Sequence, residues 1–264
     1  MRRILLAACL AALLAGPASA VEKTIAVAAF EYPPIYQNAA DKGLACELVI
    51  EAFKAVGIDV ELRFYPVKRM VESVSSGEVV CGIGGNILFA APEVADKVSI
   101  SEPVQFVSQV FMYSSKVYPE GIDFIDLDDM SDYMIGVLSG SGIMKVLEHN
   151  KLLSLVPNVT HEGSARQLHA GRVDVWGIVD LTGLMYMKKL FPADYKNYKL
   201  TKSFNLGDVS VVFSKSRDKD EEYDAMFRAG LAIIKKNGTY LRVMAKYYGG
   251  ESAINKDAMT EDMR

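Results

Sequence analysis

The stretch "GLACELVIEAFKAVGIDVELRFYPVKRMVESVSSGEVVCGIGG", residues 43–85, decides the fold class because different hydrophobic patterns follow one another within it. Its first part repeats an apolar residue about every fourth position, which predicts an amphipathic helix that ends at Gly57. Strict alternation over residues 58–64 predicts a strand, and a second helix stops at Gly77. The final "VVCGIGG" is typical of a short buried strand. With an apolar strand at 24–29, this β-α-β-α-β order predicts a parallel sheet covered by helices.

A second set of the same elements follows Pro119. "YMIGVL" and "VDVWGIVD" have the apolar character of buried strands, and a helical pattern comes after each. The chain leaves the first unit through an extended run at 104–114 and returns through another near 209–215. Two crossings form a hinge, and a cleft lies beside a hinge. We therefore predict an α/β fold of two lobes, each a mixed, mostly parallel sheet flanked by helices.

The predicted boundaries follow from these crossings. Lobe 1 takes residues 21–110 and 212–250, and lobe 2 is inserted as residues 111–211. Residues 251–264 are polar, and we expect them to form a loose tail.

Residues 1–20 have the composition of a signal peptide. Two arginines precede the apolar run at 4–14, and Ala18-Ser19-Ala20 is a typical cleavage site. An uncleaved anchor and a lipoprotein site at Cys9 are the alternatives. We predict export to the periplasm and a mature chain that begins near Val21.

The charge and the cysteines restrict the partners. The net charge is -4 and becomes more negative once the two arginines of residues 1–20 are removed, which argues against nucleic acid or an anionic membrane surface as partner. Cys46 and Cys81 remain, either as a disulfide or as free thiols packed in apolar surroundings. His149, His161 and His169 lack metal-ligand spacing, so we predict no metal and no cofactor. No nucleophile motif appears, so we predict no catalytic residue.

Several motifs together resemble the bacterial extracellular solute-binding proteins, family 3, the polar amino acid type that serves ABC transporters. The resemblance covers nearly the whole chain after residue 20, and its motifs are "EYPPIY" (31–36), "VSISEPV" (98–104), "GVLSGSG" (136–142), "GRVDVWGIVD" (171–180) and "GLAIIKKNGTYLRVMAKYYG" (230–249). It implies a type II periplasmic-binding fold and a monomer that closes over a small polar solute. The solute would be amino acid-like or a related amine, which the protein would deliver to a membrane permease.

The resemblance also implies which residues contact the solute. The family's ligand-covering aromatic falls on Tyr32, and its amine-binding aspartate falls on Asp180 if the strand holds one extra residue. Asp180 as a helix cap is the alternative. The expected contacts, which include residues at the carboxyl ends of strands, are Phe30, Tyr32, Tyr65, Arg69, Gly85, Asn86, Ser139, Gly140, Ser141, Gly142 and Asp180.

One departure from the family pattern concerns the ligand itself. The family's Thr-x-x-Arg, which fixes the ligand α-carboxylate, falls on Ala91 and Val94, so both polar groups are missing. Losing one partner of a buried charge pair costs about 2–5 kcal/mol, which disfavours a free amino acid in the usual pose. The helix start at 139–142 or Arg69 would have to replace the missing group. Otherwise the solute lacks a carboxylate.

Two other functions are compatible with the same fold. The chain also resembles periplasmic cyclohexadienyl dehydratases, although that chemistry needs cationic groups for two carboxylates. A ligand-sensing partner of a membrane receptor is the third hypothesis.

Overall fold

The computed structural model describes residues 23–38 and 40–264, so the predicted signal peptide lies outside the described part of the chain. Within that part, nine strands form one sheet. They are β1 (Thr24–Ala29), β2 (Asp59–Phe64), β3 (Cys81–Gly84), β4 (Val98–Ser114), β5 (Met134–Leu138), β6 (Ser154–Asn158), β7 (Val175–Val179), β8 (Tyr198–Leu200) and β9 (Asn205–Ser214).

The same part of the chain holds eight α-helices, of which none is long and apolar enough to cross a membrane. They are α1 (Leu44–Ala55), α2 (Val67–Ser75), α3 (Pro92–Ala95), α4 (Gly142–Leu147), α5 (His161–His169), α6 (Asp180–Leu190), α7 (Glu222–Lys236) and α8 (Thr239–Tyr248).

The sheet runs in the order β2-β1-β3-β9-β4-β7-β5-β6, with β8 beside β4. Strand β1 is parallel to both β2 and β3, and β5 is parallel to both β6 and β7. Strand β9 is antiparallel to β3 and β4, and β4 is antiparallel to β7. Each half is thus a parallel β-α-β unit, as the sequence predicted, and an antiparallel strand closes it.

Strands β4 and β9 join the two halves of the sheet. Residues 98–109 of β4 pair with β9, and residues 109–113 of the same strand pair with β7 in the lobe 2 half of the sheet. Its register with β9 shifts on either side of Pro103, which has no N–H to donate to the ladder. The predicted boundaries at residues 110 and 211 fall inside these two strands and remain a prediction.

Lobe 1 has a core on each face of its sheet. Helices α1, α7 and α8 bury one face, and α2 covers the other with Met70 and Val74. Helix α7 packs on α1. The crossing is close at Gly230, where an added Cβ would lie 1.9 Å from the carbonyl oxygen of Ala52. This contact requires glycine because the opposing atom belongs to the backbone.

The prediction of a loose tail after residue 250 is wrong. The segment forms three short 3-10 turns and buries Ala258 and Met259 in the lobe 1 core. Its last residue, Arg264, lies over the ring of Phe106 and donates to the carbonyl of Met259. The segment is polar overall, but its few apolar side chains pack into the lobe 1 core and keep it against that lobe.

Candidate functional site

A cavity of about 310 Å³ lies between the two lobes at the carboxyl ends of β1, β3, β5 and β7. The crossing strands also line it, through Val107 and Gln109 of β4 and residues 207–209 of β9. Both lobes contribute apolar side chains: Ile35, Ile87 and Leu88 come from lobe 1, and Leu138, Ile143 and Val179 from lobe 2. Both lobes must therefore come together to complete this cavity.

The charge of the cavity comes from Asp208, at the point where β9 passes the cleft. Its Oδ2 accepts a hydrogen bond from the N–H of Asn86 at 2.8 Å. No Lys, Arg or His side chain stands among the described residues that line this cavity. Gln109, a second polar residue of the lining, accepts at Oε1 from Asn205 Nδ2 at 3.2 Å. The site thus offers a negative charge to a solute.

Three aromatic residues of lobe 1 line the same cavity, namely Phe30, Tyr32 and Tyr36. Phe30 and Tyr36 lie with ring centroids 4.6 Å apart. Burial raises the pKa of Tyr36 well above its ordinary value, and the nearby ionisable groups of Cys46 and Asp208 raise it further. The Asp208 carboxylate therefore acts electrostatically on an aromatic ring of the cavity wall.

Tyr32 connects the two lobes. Its ring meets the ring of His161 edge-on, with centroids 5.5 Å apart, and it packs against hydrophobic clusters of both lobes. Thr182 Oγ1 of α6 donates to the carbonyl of Pro33 at 3.1 Å. Burial raises the pKa of Tyr32 above its ordinary range, and a hydrogen bond with Thr182 offsets part of this rise. The two lobes are therefore in direct contact beside the cavity.

His161 stands at this contact without polar partners of its own. Both of its ring nitrogens are buried and unbonded among the described atoms. Its ring lies near those of Trp176 and Tyr186. Burial lowers the pKa of His161 to about 4, so the ring is neutral near neutral pH.

The structure brings part of the predicted site to the cavity. Phe30, Tyr32, Gly85, Ser141 and Gly142 line it, and the N–H of Asn86 is bonded to Asp208. Their ligand-binding role remains a prediction. Ser139 and Gly140 are exposed in the loop before α4 and are not part of the lining.

Tyr65 and Arg69 lie outside this cavity. Arg69 Nη2 forms an ion pair with Glu78 at 2.5 Å, and its guanidinium lies over the Tyr65 ring. The Tyr65 hydroxyl also donates to Glu78. Tyr65 lines a separate groove of about 390 Å³ with Phe30 and Glu31. The arginine that the resemblance offered for a carboxylate is therefore bound to a carboxylate of the protein.

Asp180 is buried away from the cavity, with 1% of its surface exposed. It accepts hydrogen bonds from Leu181 N at 2.7 Å, Asn255 Nδ2 at 2.9 Å and Tyr248 Oη at 3.2 Å. Burial raises the pKa of the Asp180 carboxyl, although these donors lower it in part. The start of α6 in lobe 2 is thus fixed to the C-terminal segment on lobe 1.

The remaining predictions concern the carboxylate position and the cysteines. Ala91 is exposed and Val94 is half-buried around the short helix α3, and neither lines the cavity. Cys46 and Cys81 are free and buried, so the disulfide alternative does not hold. Burial raises the pKa of the Cys46 thiol to about 12. Among the described residues, no group of three His, Cys, Asp or Glu side chains could hold a metal ion.

Sequence reasoning missed Asp208, Gln109 and Tyr36. The signal for Asp208 was present, since it is the one charged residue in the apolar run "LGDVSVVF". An acidic residue in a buried strand needs a partner or a cavity.

Comparisons with known proteins agree on the fold. A sequence profile described as "Bacterial extracellular solute-binding proteins, family 3" matches residues 24–250. No curated protein sequence matches the chain.

Three solved structures illustrate the similarity. A histidine kinase sensor domain with similarity to periplasmic binding proteins is 21% identical, with 87% of this chain and 97% of that chain covered and a TM-score of 0.63. The GluR0 ligand-binding core from Nostoc punctiforme in complex with L-glutamate is 17% identical, with 84% of this chain and 98% of that chain covered and a TM-score of 0.61. The substrate-binding protein of an amino acid ABC transporter is 17% identical, with 86% of this chain and 99% of that chain covered and a TM-score of 0.57. The predicted two-lobed type II periplasmic-binding fold is confirmed.

Proposed function

Since the chain belongs to the bacterial extracellular solute-binding proteins, family 3, we propose that it captures a small solute between its lobes and delivers it to a membrane permease of the ABC type. It works in the periplasm, after residues 1–20 have directed its export, and it acts as a monomer without catalysis. The observation that carries the proposal is the cavity between the lobes, which residues of both lobes line and beside which Tyr32 contacts both lobes.

The size and lining of the cavity support capture of a small molecule. A volume of about 310 Å³ lies at the lower end of the roughly 300–1,000 Å³ that ligand pockets usually span. Apolar walls with a few placed polar groups are also typical of such pockets. The solute is amino acid-like or a related amine, because Asp208 attracts an ammonium group.

Two other functions can be separated from this one by experiment. A dehydratase acting on a dicarboxylate needs cationic groups, and the described lining of the cavity offers Asp208 instead. A sensory role in trans is compatible with the similarity to a histidine kinase sensor domain, which at 21% identity shows the fold alone. Turnover of prephenate would favour the enzyme, and co-purification with a receptor rather than a permease would favour the sensor.

The test uses the full chain exported to the periplasm and a thermal-shift screen over amino acids, amines, small acids and sugars. A solute at 100 times its Kd should add about 2.7 kcal/mol of stability, which a melting curve resolves. Tyr32→Ala should weaken binding of the solute found by about tenfold or more, because the substitution removes an aromatic ring from the cavity wall. Tyr65→Ala is the matched control and should bind normally. A screen in which no solute raises the melting temperature would refute the proposal.

A further inference from the structure

We propose that the cleft takes a small primary amine with an apolar body and no carboxylate, whose ammonium group pairs with Asp208. The ligand class is thus an alkyl or aryl monoamine rather than a zwitterionic amino acid. This inference rests on the proposed solute-binding function and specifies the chemistry of its site.

The first argument is charge. Among the described lining residues Asp208 carries a charge and no cationic side chain faces it, so an ammonium group would neutralise the site. A bound α-carboxylate would find no cationic side chain in the same space, and a charge that is partly removed from water without a partner is costly. Arg69 cannot compensate, because its guanidinium is held by Glu78 and lies over Tyr65 outside the cavity.

The loop at the start of α4 does not replace the missing cation. Ser141 Oγ already accepts from Met144 N at 3.1 Å, and the N–H of Gly140 is directed at the Met144 sulfur. Helix α4 has only six residues, so its dipole is weak. The loop therefore offers a carboxylate backbone N–H groups but no cationic side chain.

The second argument is the shape of the wall. Apart from Asp208, Gln109 and Ser141, the side chains that line this space are aromatic or aliphatic, including Phe30 and Tyr36 of lobe 1 and Leu138 and Ile143 of lobe 2. An ammonium group is attracted both by the carboxylate and by the faces of aromatic rings, within about 6 Å of their centroids. The aliphatic side chains are suited to the uncharged remainder of the solute.

The experiment compares each amino acid with its decarboxylated amine on the full, exported protein. The pairs include L-phenylalanine with 2-phenylethylamine and L-leucine with isopentylamine, and 2-phenylethanol serves as the uncharged counterpart. Titration calorimetry should show the amine binding about 30-fold tighter or more than its amino acid, the factor expected for one unpaired buried charge. The alcohol should lose affinity by a similar factor.

Two variants locate the effect. Asp208→Asn keeps an oxygen that can accept from the N–H of Asn86, and it should lower the affinity for the amine by about 30-fold or more. Glu31→Gln removes an exposed carboxylate of the neighbouring groove and should bind as the parent does. An amino acid that binds more tightly than its own amine overturns this inference and leaves solute capture intact. If no solute of any class binds, the proposed function itself fails.

Discussion

Replacing Asn255 by alanine tests the bond between the C-terminal segment and lobe 2. Asn255 Nδ2 is one of three donors to Asp180, which is 1% exposed, so water cannot replace it fully. A hydrogen bond to a charged group contributes about 1.5–3 kcal/mol. At about 2–4 °C per kcal/mol for a chain of this size, the melting temperature should fall by about 3–12 °C.

The pH dependence of this loss identifies its cause. The pKa of Asp180 in the folded protein is raised, so folding favours the protonated carboxyl and stability from this group increases as pH falls through that pKa. Removing a donor raises the pKa further. The loss caused by Asn255→Ala should therefore be largest where Asp180 is fully ionised and should shrink towards low pH.

Urea unfolding between about pH 8 and about pH 4 measures this loss as a free energy of unfolding. Lys256→Ala, an exposed neighbour in the same turn, is the control and should change stability by less than about 0.5 kcal/mol. A loss that stays constant across this pH range would refute the reasoning, because it would not depend on the charge of Asp180.

Three further predictions concern the helix crossing at Gly230, the buried His161 and the two thiols. Gly230→Ala should destabilise the protein by about 1–3 kcal/mol or more in urea, because its Cβ would overlap Ala52; an unchanged midpoint would contradict this helix crossing. The free energy of unfolding should decline as pH falls from about 6.5 towards 4. In this range His161 binds a proton in the unfolded state, whereas burial keeps its pKa at about 4 in the folded protein. His161→Phe should flatten this decline, and an identical pH profile would exclude His161 as its source. Cys46 and Cys81 should resist a thiol reagent in the native protein and react once urea unfolds it; rapid native reaction would show that they are accessible.

The sequence predicted the fold well where the signal is local. Helix α1 shows its buried face at every fourth residue, and β2 shows its alternation, because each element packs against one surface. The position of β9 between β3 and β4 has no such signal, since it depends on pairing between segments distant in the chain. The packing of the tail was missed because its polar composition hid the buried Met259 and Asn255, which donates to Asp180.

The site was predicted less well than the fold. Residues after strand ends, such as Gly85 and Ser141, reached the cavity because topology alone places them there. Arg69 did not, because its partner Glu78 lies in a loop and no periodicity couples the two. Asp208 was overlooked because a strand pattern describes which residues are apolar and not which charge faces a cleft.

The position of β9 in the sheet also determines the order in which the chain can fold. The strands β5 to β8 and the helices between them lie in one continuous stretch, 134–200, so most of lobe 2 can form from neighbouring residues. Lobe 1 cannot, because β3 pairs with β9 and α1 packs on α7. Until residues beyond 205 are available, a partly folded lobe 1 presents an unpaired strand edge and an uncovered apolar helix. Unpaired strand edges and exposed apolar surface of this kind make partly folded proteins prone to aggregate.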